Sequence, residues 1–282
     1  MRALRIALVI LFAVTSVVFG VDQIRTRRDR DIIPPVISCE NEELHLSVSS
    51  TDEDLLRGVR AVDERDGDVT STIVIAGKSN FIEEGEIRVD YSAFDSHNNA
   101  ATYSRRVIYD DYHSPRFYSK SPLLMRMSSS YDFDFFGAED VLNGDISRKV
   151  KIVTSSSGSA STGEYPVVLE VTNDYGDVEK LSLILHVCSA SEYNRMRPSL
   201  SDYIVYIPVG EEIDLRSYLI GIRQGDRELT FEEADVSADS ITIDDSLVDY
   251  STPGVYSVDF DLRISYDQTT ETEMILIVTE DN

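Results

Sequence analysis

Four aspartates, Asp63, Asp66, Asp68 and Asp95, come closest to forming a chemical constellation in this sequence. Gathered at one end of a small domain, their carboxylates suit a hard cation such as calcium, which takes oxygen ligands. The EF-hand register fails, however: counted from Asp63 the twelfth position is Val74, and counted from Asp66 it is Gly77, where that loop needs a bidentate glutamate. A second copy of the stretch carries Asn143 in place of Asp66 and Asn173 in place of Asp95, keeping oxygen and losing charge. Both Asp66-Gly67-Asp68 and Asn143-Gly144-Asp145 read as turn chemistry, in which glycine takes a positive φ and the flanking side chains bond their own backbone. The reading adopted is structural, and no metal ligand is assigned.

Catalysis has less support. The four histidines are scattered: His45 sits between Leu44 and Leu46, His97 in a polar turn, His113 in a linker, and His186 between Leu185 and Val187. No Gly-x-Ser-x-Gly, His-Glu-x-x-His or phosphate loop is present. The sequence therefore predicts no enzyme, no catalytic residue and no cofactor. Tyrosines such as Tyr103, Tyr109, Tyr112, Tyr118, Tyr193, Tyr203 and Tyr206 could stack on a sugar, but an aromatic with a polar tip more often serves as core or as a hydrogen-bonded lock between repeats.

The elements that must position these residues are duplicated. Ala61-Val62-Asp63-Glu64-Arg65-Asp66-Gly67-Asp68-Val69-Thr70 is answered 77 residues on by Ala138-Glu139-Asp140-Val141-Leu142-Asn143-Gly144-Asp145-Ile146-Ser147. Gly85-Glu86-Ile87-Arg88-Val89 is answered at an offset of 78 by Gly163-Glu164-Tyr165-Pro166-Val167, and Phe94-Asp95 by Thr172-Asn173. One residue of slippage is what a loop insertion between duplicated domains produces, and self-similarity at this period marks an array of small domains. Pro35, Pro115 and Pro198 each follow a polar stretch and mark three entries. The predicted organisation is an N-terminal segment 1–30 and three repeats, 31–111, 112–194 and 195–282. The third is divergent. It keeps Gly254-Val255-Tyr256-Ser257-Val258, and Asp235-Val236-Ser237 fits the place of Asp145-Ile146-Ser147, with Ala234 where the glycine stood.

Within the repeats, apolar residues alternate. Ile87, Val89, Tyr91 and Ala93 share one face; Tyr165, Val167, Leu169 and Val171 share another, followed by Leu181, Leu183, Leu185 and Val187. Period two, short strands and polar turns predict an all-β chain of tandem immunoglobulin-like β-sandwiches. Helix is limited to a turn or two at Glu53–Leu56 and Leu215–Leu219. Residues 154–162, rich in serine, read as a loop inside the second repeat.

The pattern Ala-x-Asp…Asp-Gly-Asp-Val-Thr…Gly-Glu-x-x-Val-x-Tyr…Phe-Asp-Ser-x-Asn-Asn resembles the bacterial immunoglobulin-like domains first named from an insecticidal crystal toxin, akin to the hyalin repeats of surface proteins. The resemblance covers 31–111 and 112–190 and fades beyond. It implies a surface-displayed spacer or adhesion module and no catalysis. The second repeat departs from it, with Asn173-Asp174-Tyr175-Gly176-Asp177 where the first has Asp95-Ser96-His97-Asn98-Asn99.

Charge and the N-terminus set the compartment. The chain carries −25, and because residues 1–30 hold six arginines against Asp22 and Asp29, the remainder is more acidic still. Such a surface repels phosphate backbones, so no nucleic-acid partner is expected. Arg2 and Arg5 precede an apolar run from Ile6 to Val21, a signal-type segment after an exporting basic start. Val18-Phe19-Gly20 allows cleavage after Gly20, whereas apolarity nearly continuous to Ile24 favours a retained single-pass anchor with extracellular C-terminal domains. Arg25, Arg27, Arg28 and Arg30 argue for the opposite orientation, and the repeat type outweighs them. Cys39 and Cys188 fall in different repeats, and with repeats laid end to end they lie too far apart to bridge. The expected partners are the membrane, through the N-terminal helix, and an extracellular protein or glycan, with the third repeat as its face. A structural subunit of an envelope assembly is the alternative.

Overall fold

Alternation along each strand buries one face, and the fold follows from pairing those faces. The chain is represented by a computed structural model that describes residues 8, 10–21, 31–127, 134–154, 161–266 and 268–280. Residues 10–21 are helical (α1). Among the described residues no helix is long and apolar enough to cross a membrane. The expected basic stalk, Arg25 to Arg30, and most of the serine-rich loop lie outside the described residues.

The first sandwich contains β1 (Val36–Cys39), β2 (Glu43–Leu46), the helical turn α2 (Asp52–Leu55), β3 (Val59–Asp63), β4 (Gly67–Asp68), β5 (Val74–Lys78), β6 (Glu86–Phe94) and β7 (Ala100–Tyr109). Its sheets run β1-β3-β4 and β2-β7-β6-β5. The expected inward set, Ile87, Val89, Tyr91 and Ala93, is fully buried. Tyr91 spends its hydroxyl on the Leu55 carbonyl at 2.6 Å, so even the polar tip of this core residue is satisfied.

The second sandwich repeats the plan with β8 (Arg116–Ser119), β9 (Leu124–Arg126), β10 (Phe136–Asp140), β11 (Gly144–Asp145), β12 (Lys151–Thr154), β13 (Gly163–Thr172) and β14 (Val178–Cys188). Its sheets are β11-β10-β8 and β12-β13-β14-β9. After the short helix α3 (Ala190–Tyr193) the third follows: β15 (Met196–Leu200), β16 (Ile204–Pro208), β17 (Leu219–Gln224), β18 (Arg227–Leu229), β19 (Ile241–Asp244), β20 (Gly254–Ser265) and β21 (Gln268–Thr279). They form sheets β15-β17-β18 and β16-β21-β20-β19. All three sandwiches thus share one strand order. In the third, the buried face of β20 is Val258, Phe260 and Leu262. A 3-10 turn, Leu215–Tyr218, stands where the sequence expects a helical turn.

Compactness divides the chain differently from the repeats. One unit comprises residues 1–46, 50–79 and 86–108, and the other 47–49, 80–85 and 109–282. Both expected repeats, 112–194 and 195–282, fall within the second unit. The cause is strand chemistry. On β16 and β21, Val205, Ile207, Met274, Leu276 and Val278 fill the core of the third sandwich. The intervening Ile204, Ile275 and Ile277 join the core of the second, beside Phe117, Leu183 and Leu185. Both faces are apolar, as in strands covered on two sides, and each buried isoleucine contributes about 1.5–3 kcal/mol. Tyr206 adds a polar lock, its hydroxyl accepting the Phe117 N–H at 3.0 Å.

Candidate functional site

The duplicated acidic turns are built from the same hydrogen bonds. In the first copy, Asp63 ends β3 and its Oδ1 accepts the N–H groups of Arg65 (2.8 Å) and Asp66 (2.9 Å). In the second, Asp140 ends β10 and its Oδ1 accepts those of Leu142 (3.1 Å) and Asn143 (2.8 Å). Gly67 and Gly144 turn the chain at φ +73° and +69°. Nothing lies within 4 Å of where a Cβ would stand on either, so backbone conformation alone demands glycine there. Asp68 and Asp145 then accept the N–H of Thr70 and Ser147, each at 2.9 Å. The hydroxyls of Thr70 and Ser147 in turn reach the N–H groups of Ala61 and Ala138, both at 3.1 Å.

The facing turn is duplicated as well. Asp95 Oδ1 accepts the N–H of His97 (2.9 Å) and Asn99 (2.7 Å). Asn173 Oδ1 accepts those of Tyr175 (2.9 Å) and Asp177 (3.0 Å). With its Oδ1 committed, Asn173 turns its second terminal atom to the opposing turn. In the second copy it is nitrogen: Asn173 Nδ2 donates to Asp140 Oδ2 and to the Tyr112 hydroxyl, each at 3.0 Å. The Tyr112 hydroxyl donates in turn to Asp177 Oδ2 at 2.6 Å, and burial, followed by that carboxylate, pushes its pKa up. The network is closed, with Asp140 1% and Asn173 4% exposed.

In the first copy the same place holds oxygen. Asp95 Oδ2 receives the Asn99 amide, at 2.5 Å. Asp63 is 2% exposed, and among the described residues its Oδ2 has no hydrogen-bond partner. Asp31, 7% exposed, completes the cluster, with ligand atoms of Asp31, Asp95 and His97 all within 4.8 Å of one another. Asp31 Oδ1 accepts the Ile33 N–H at 3.0 Å, and the Arg65 guanidinium lies 3.7 Å from Oδ2.

The sequence allows Asp63, Asp66, Asp68 and Asp95 to converge at one end of this sandwich, with turn-stabilising roles as the reading adopted. The structure places Asp95 with Asp31 and His97, leaves Asp63 Oδ2 buried without a partner among the described residues, and gives the other two separate tasks. Asp66 holds the Ser96 N–H (2.7 Å) and hydroxyl, which keep its carboxyl below the usual range, and Asp68 caps Thr70. Asp31 and His97 were missed. His97 shares a turn with Asp95, but Asp31 is brought in across 64 residues with no motif to mark it.

Elsewhere the second unit holds a cleft of about 460 Å³ whose lining includes Glu164, His186, Arg197, Thr270, Glu271 and Glu273. The Glu273 carboxylate, 3.7 Å away, raises the His186 pKa. Asp259 lies on β20 opposite Glu273 on β21; burial, then the carboxylates of Glu271, Glu273, Asp261 and Asp244, push it up to about 6. Cys188 also lines the cleft; it and Cys39 are unbridged and half-buried, and burial pushes both thiols up. The tyrosines are mostly locks: Tyr109, Tyr112 and Tyr203 are buried, Tyr118 bonds Ser147 and Tyr193 bonds Asp226.

The third copy of the turn is offset by one residue from the sequence alignment. Asp235, not Ala234, takes the positive φ (+53°), and the 3-10 turn starts at Ala238 rather than Ser237. Aspartate tolerates that region better than alanine, which explains the slip.

No protein-family model matches the chain. In sequence it is similar to the pesticidal crystal protein Cry22Aa of Bacillus thuringiensis, 26% identical over 226 residues that make up 78% of this chain and 29% of that protein. The chain therefore spans less than a third of that relative. Solved structures with some likeness include CBM51-2 with the INT domains of Clostridium perfringens ZmpB in complex with GlcNAc, at 21% identity over 52% of this chain and 26% of that one, with a TM-score of 0.23. The protocadherin GammaB4 extracellular domain matches at 12% identity over 89% of this chain and 50% of that one, with a TM-score of 0.20. Human CDH23 EC21-23 matches at 9% identity over 87% of this chain and 100% of that one, with a TM-score of 0.21. These scores are too low to carry an argument about function.

Proposed function

We propose that the chain is an exported, non-catalytic binding and spacer module that presents the cleft of its second unit to an extracellular glycan or protein. The observation that supports this reading is the cleft itself. Its wall combines carboxylates, an imidazole, a guanidinium and threonine hydroxyls, a mixture that suits hydrogen bonding to a polar ligand. The carboxylates nearest His186 among the described ion pairs are Glu164 at 4.0 Å and Glu273 at 3.7 Å, and the Ser257 hydroxyl donates to Glu273. The apolar N-terminal segment serves export in this reading, and its retention as a membrane tether is part of the proposal.

Glycan-array binding by the chain, with His186→Ala and Glu164→Ala in parallel, tests the cleft. Binding weakened roughly tenfold or more by either change, as expected for loss of a polar contact of over ~1.4 kcal/mol, supports it. Binding that both variants retain in full removes the cleft from the reading. Mass measurement of the mature protein from the producing cell separates tethering from release: a chain starting after Gly20 rules out the tether.

A further inference from the structure

We propose that Asp31, Asp63 and Asp95 of the first unit, with His97 at the rim, form a binding site for a divalent cation, calcium in preference to softer metals. The argument rests on the internal control that the second copy of the turn provides. Asp63 and Asp140 are fixed by the same pair of N–H donors to Oδ1, and so are Asp95 and Asn173. The free Oδ2 of Asp63 therefore points where Asp140 Oδ2 points, at the outer atom of the facing side chain. In the second copy that atom is the Asn173 nitrogen, a donor at 3.0 Å. In the first it is a carboxylate oxygen, which cannot donate.

Burying an ionised oxygen without a partner costs several kcal/mol unless positive charge or a proton supplies the compensation. Asp31 makes a proton the poorer answer, because it adds a buried carboxylate beside Asp95 and one proton cannot serve Asp31, Asp63 and Asp95 together. Asp31 and Asp95 bring carboxylate oxygens within 4.8 Å of each other and of the His97 ring, and with the unpartnered Asp63 Oδ2 of the matching turn they suit a hard cation that prefers oxygen. A single exposed imidazole is too little nitrogen to select zinc. Asn143 and Asn173 remove this charge from the second copy, and its closed amide network leaves a cation no role there.

The test is calorimetric melting of the full chain, with chelator and with millimolar calcium, together with titration calorimetry. Calcium is expected to raise the melting of the first unit by several degrees and to bind with a stoichiometry near one, because a ligand of the folded state stabilises it by mass action. Asp95→Asn, which copies the second repeat, should abolish that binding while raising metal-free melting, since it supplies the donor Asp63 lacks. Asp31→Asn leaves the turn bonds of Asp63 and Asp95 intact and should weaken binding at least tenfold. If the wild-type chain responds to no divalent cation while Asp95→Asn still raises metal-free melting, the carboxylates share protons and the site is overturned. Equal calcium binding by wild type and Asp95→Asn would also overturn it, by placing the ion elsewhere on the acidic surface. A response to zinc alone that His97→Ala removes overturns the choice of calcium.

Discussion

The turn of Asp63 and Asp95 and the turn of Asp140 and Asn173 differ at the decisive place by one atom type. Backbone, glycine conformation, 3-10 turn and Oδ1 bonds match in both. Where Asn173 offers nitrogen, a chain of donors runs from the amide to Tyr112 and on to Asp177; where Asp95 offers oxygen, Asp63 Oδ2 is left without a donor among the described residues. A duplicated framework can thus hold either a self-sufficient hydrogen-bond network or a nest of carboxylates, because the backbone fixes where the side chains meet but not what they exchange.

The strongest way to break the comparison is Asn173→Asp, which installs the first copy's chemistry in the second. It should destabilise the second unit by about 3 kcal/mol, the cost of opposing buried acceptors and orphaned Tyr112 and Asp140 groups. Urea denaturation followed at the second unit reads this, and an unchanged midpoint would show that the network is not cooperative. Next comes Tyr112→Phe, which deletes the hydroxyl shared by Asn173 and Asp177 and should cost about 1–2 kcal/mol in the same assay. Gly67→Ala and Gly144→Ala should each cost about 1 kcal/mol, and equally, because both glycines sit near φ +70° in open space. Unequal losses would show that the two backbones are not equivalent in solution.

The smallest effect is in pH, and its sign differs between the regions. The carboxyls of Asp66 and Asp68 in the first copy, and of Asp145 in the second, are held low by their turn hydrogen bonds. Their contribution is complete above the unfolded carboxylate value and is lost as pH falls through the folded value. Asp259 in the third sandwich goes the other way. Its folded pKa near 6 lies above the unfolded 3.8, so stability rises as pH falls from about 6 toward 4. His186, also raised, is worth most below its unfolded value and loses that contribution as pH rises through the folded one. Asp259→Asn should flatten the gain of the third sandwich between pH 6 and 4, measured as melting temperature against pH, and leave the acid loss of the turns unchanged.

Much of this was legible locally. Glycines at fixed offsets and aspartates two and three residues apart announce a turn, since a positive φ and an Asx bond are properties of a few consecutive residues. The divergent third turn was read one residue out of register because Asp235 can stand in for glycine, a substitution that leaves no trace in composition. The packing of the third sandwich's strands into the second core has a local signal: Tyr203-Ile204-Val205-Tyr206-Ile207 and Met274-Ile275-Leu276-Ile277-Val278 are apolar without alternation, the pattern of strands covered on both faces.

The sequence by itself determined the strands, their inward faces and the threefold repetition, because alternation and turn chemistry act over a few residues and each copy repeats them. Only tertiary structure decided that Asp31 joins Asp95 and His97, that Asp63 keeps an unpartnered oxygen while Asp140 does not, and that Ile275 and Ile277 serve the neighbouring sandwich's core. Those outcomes depend on which atoms from distant strands reach the same few ångströms, and spacing along a chain does not encode that distance.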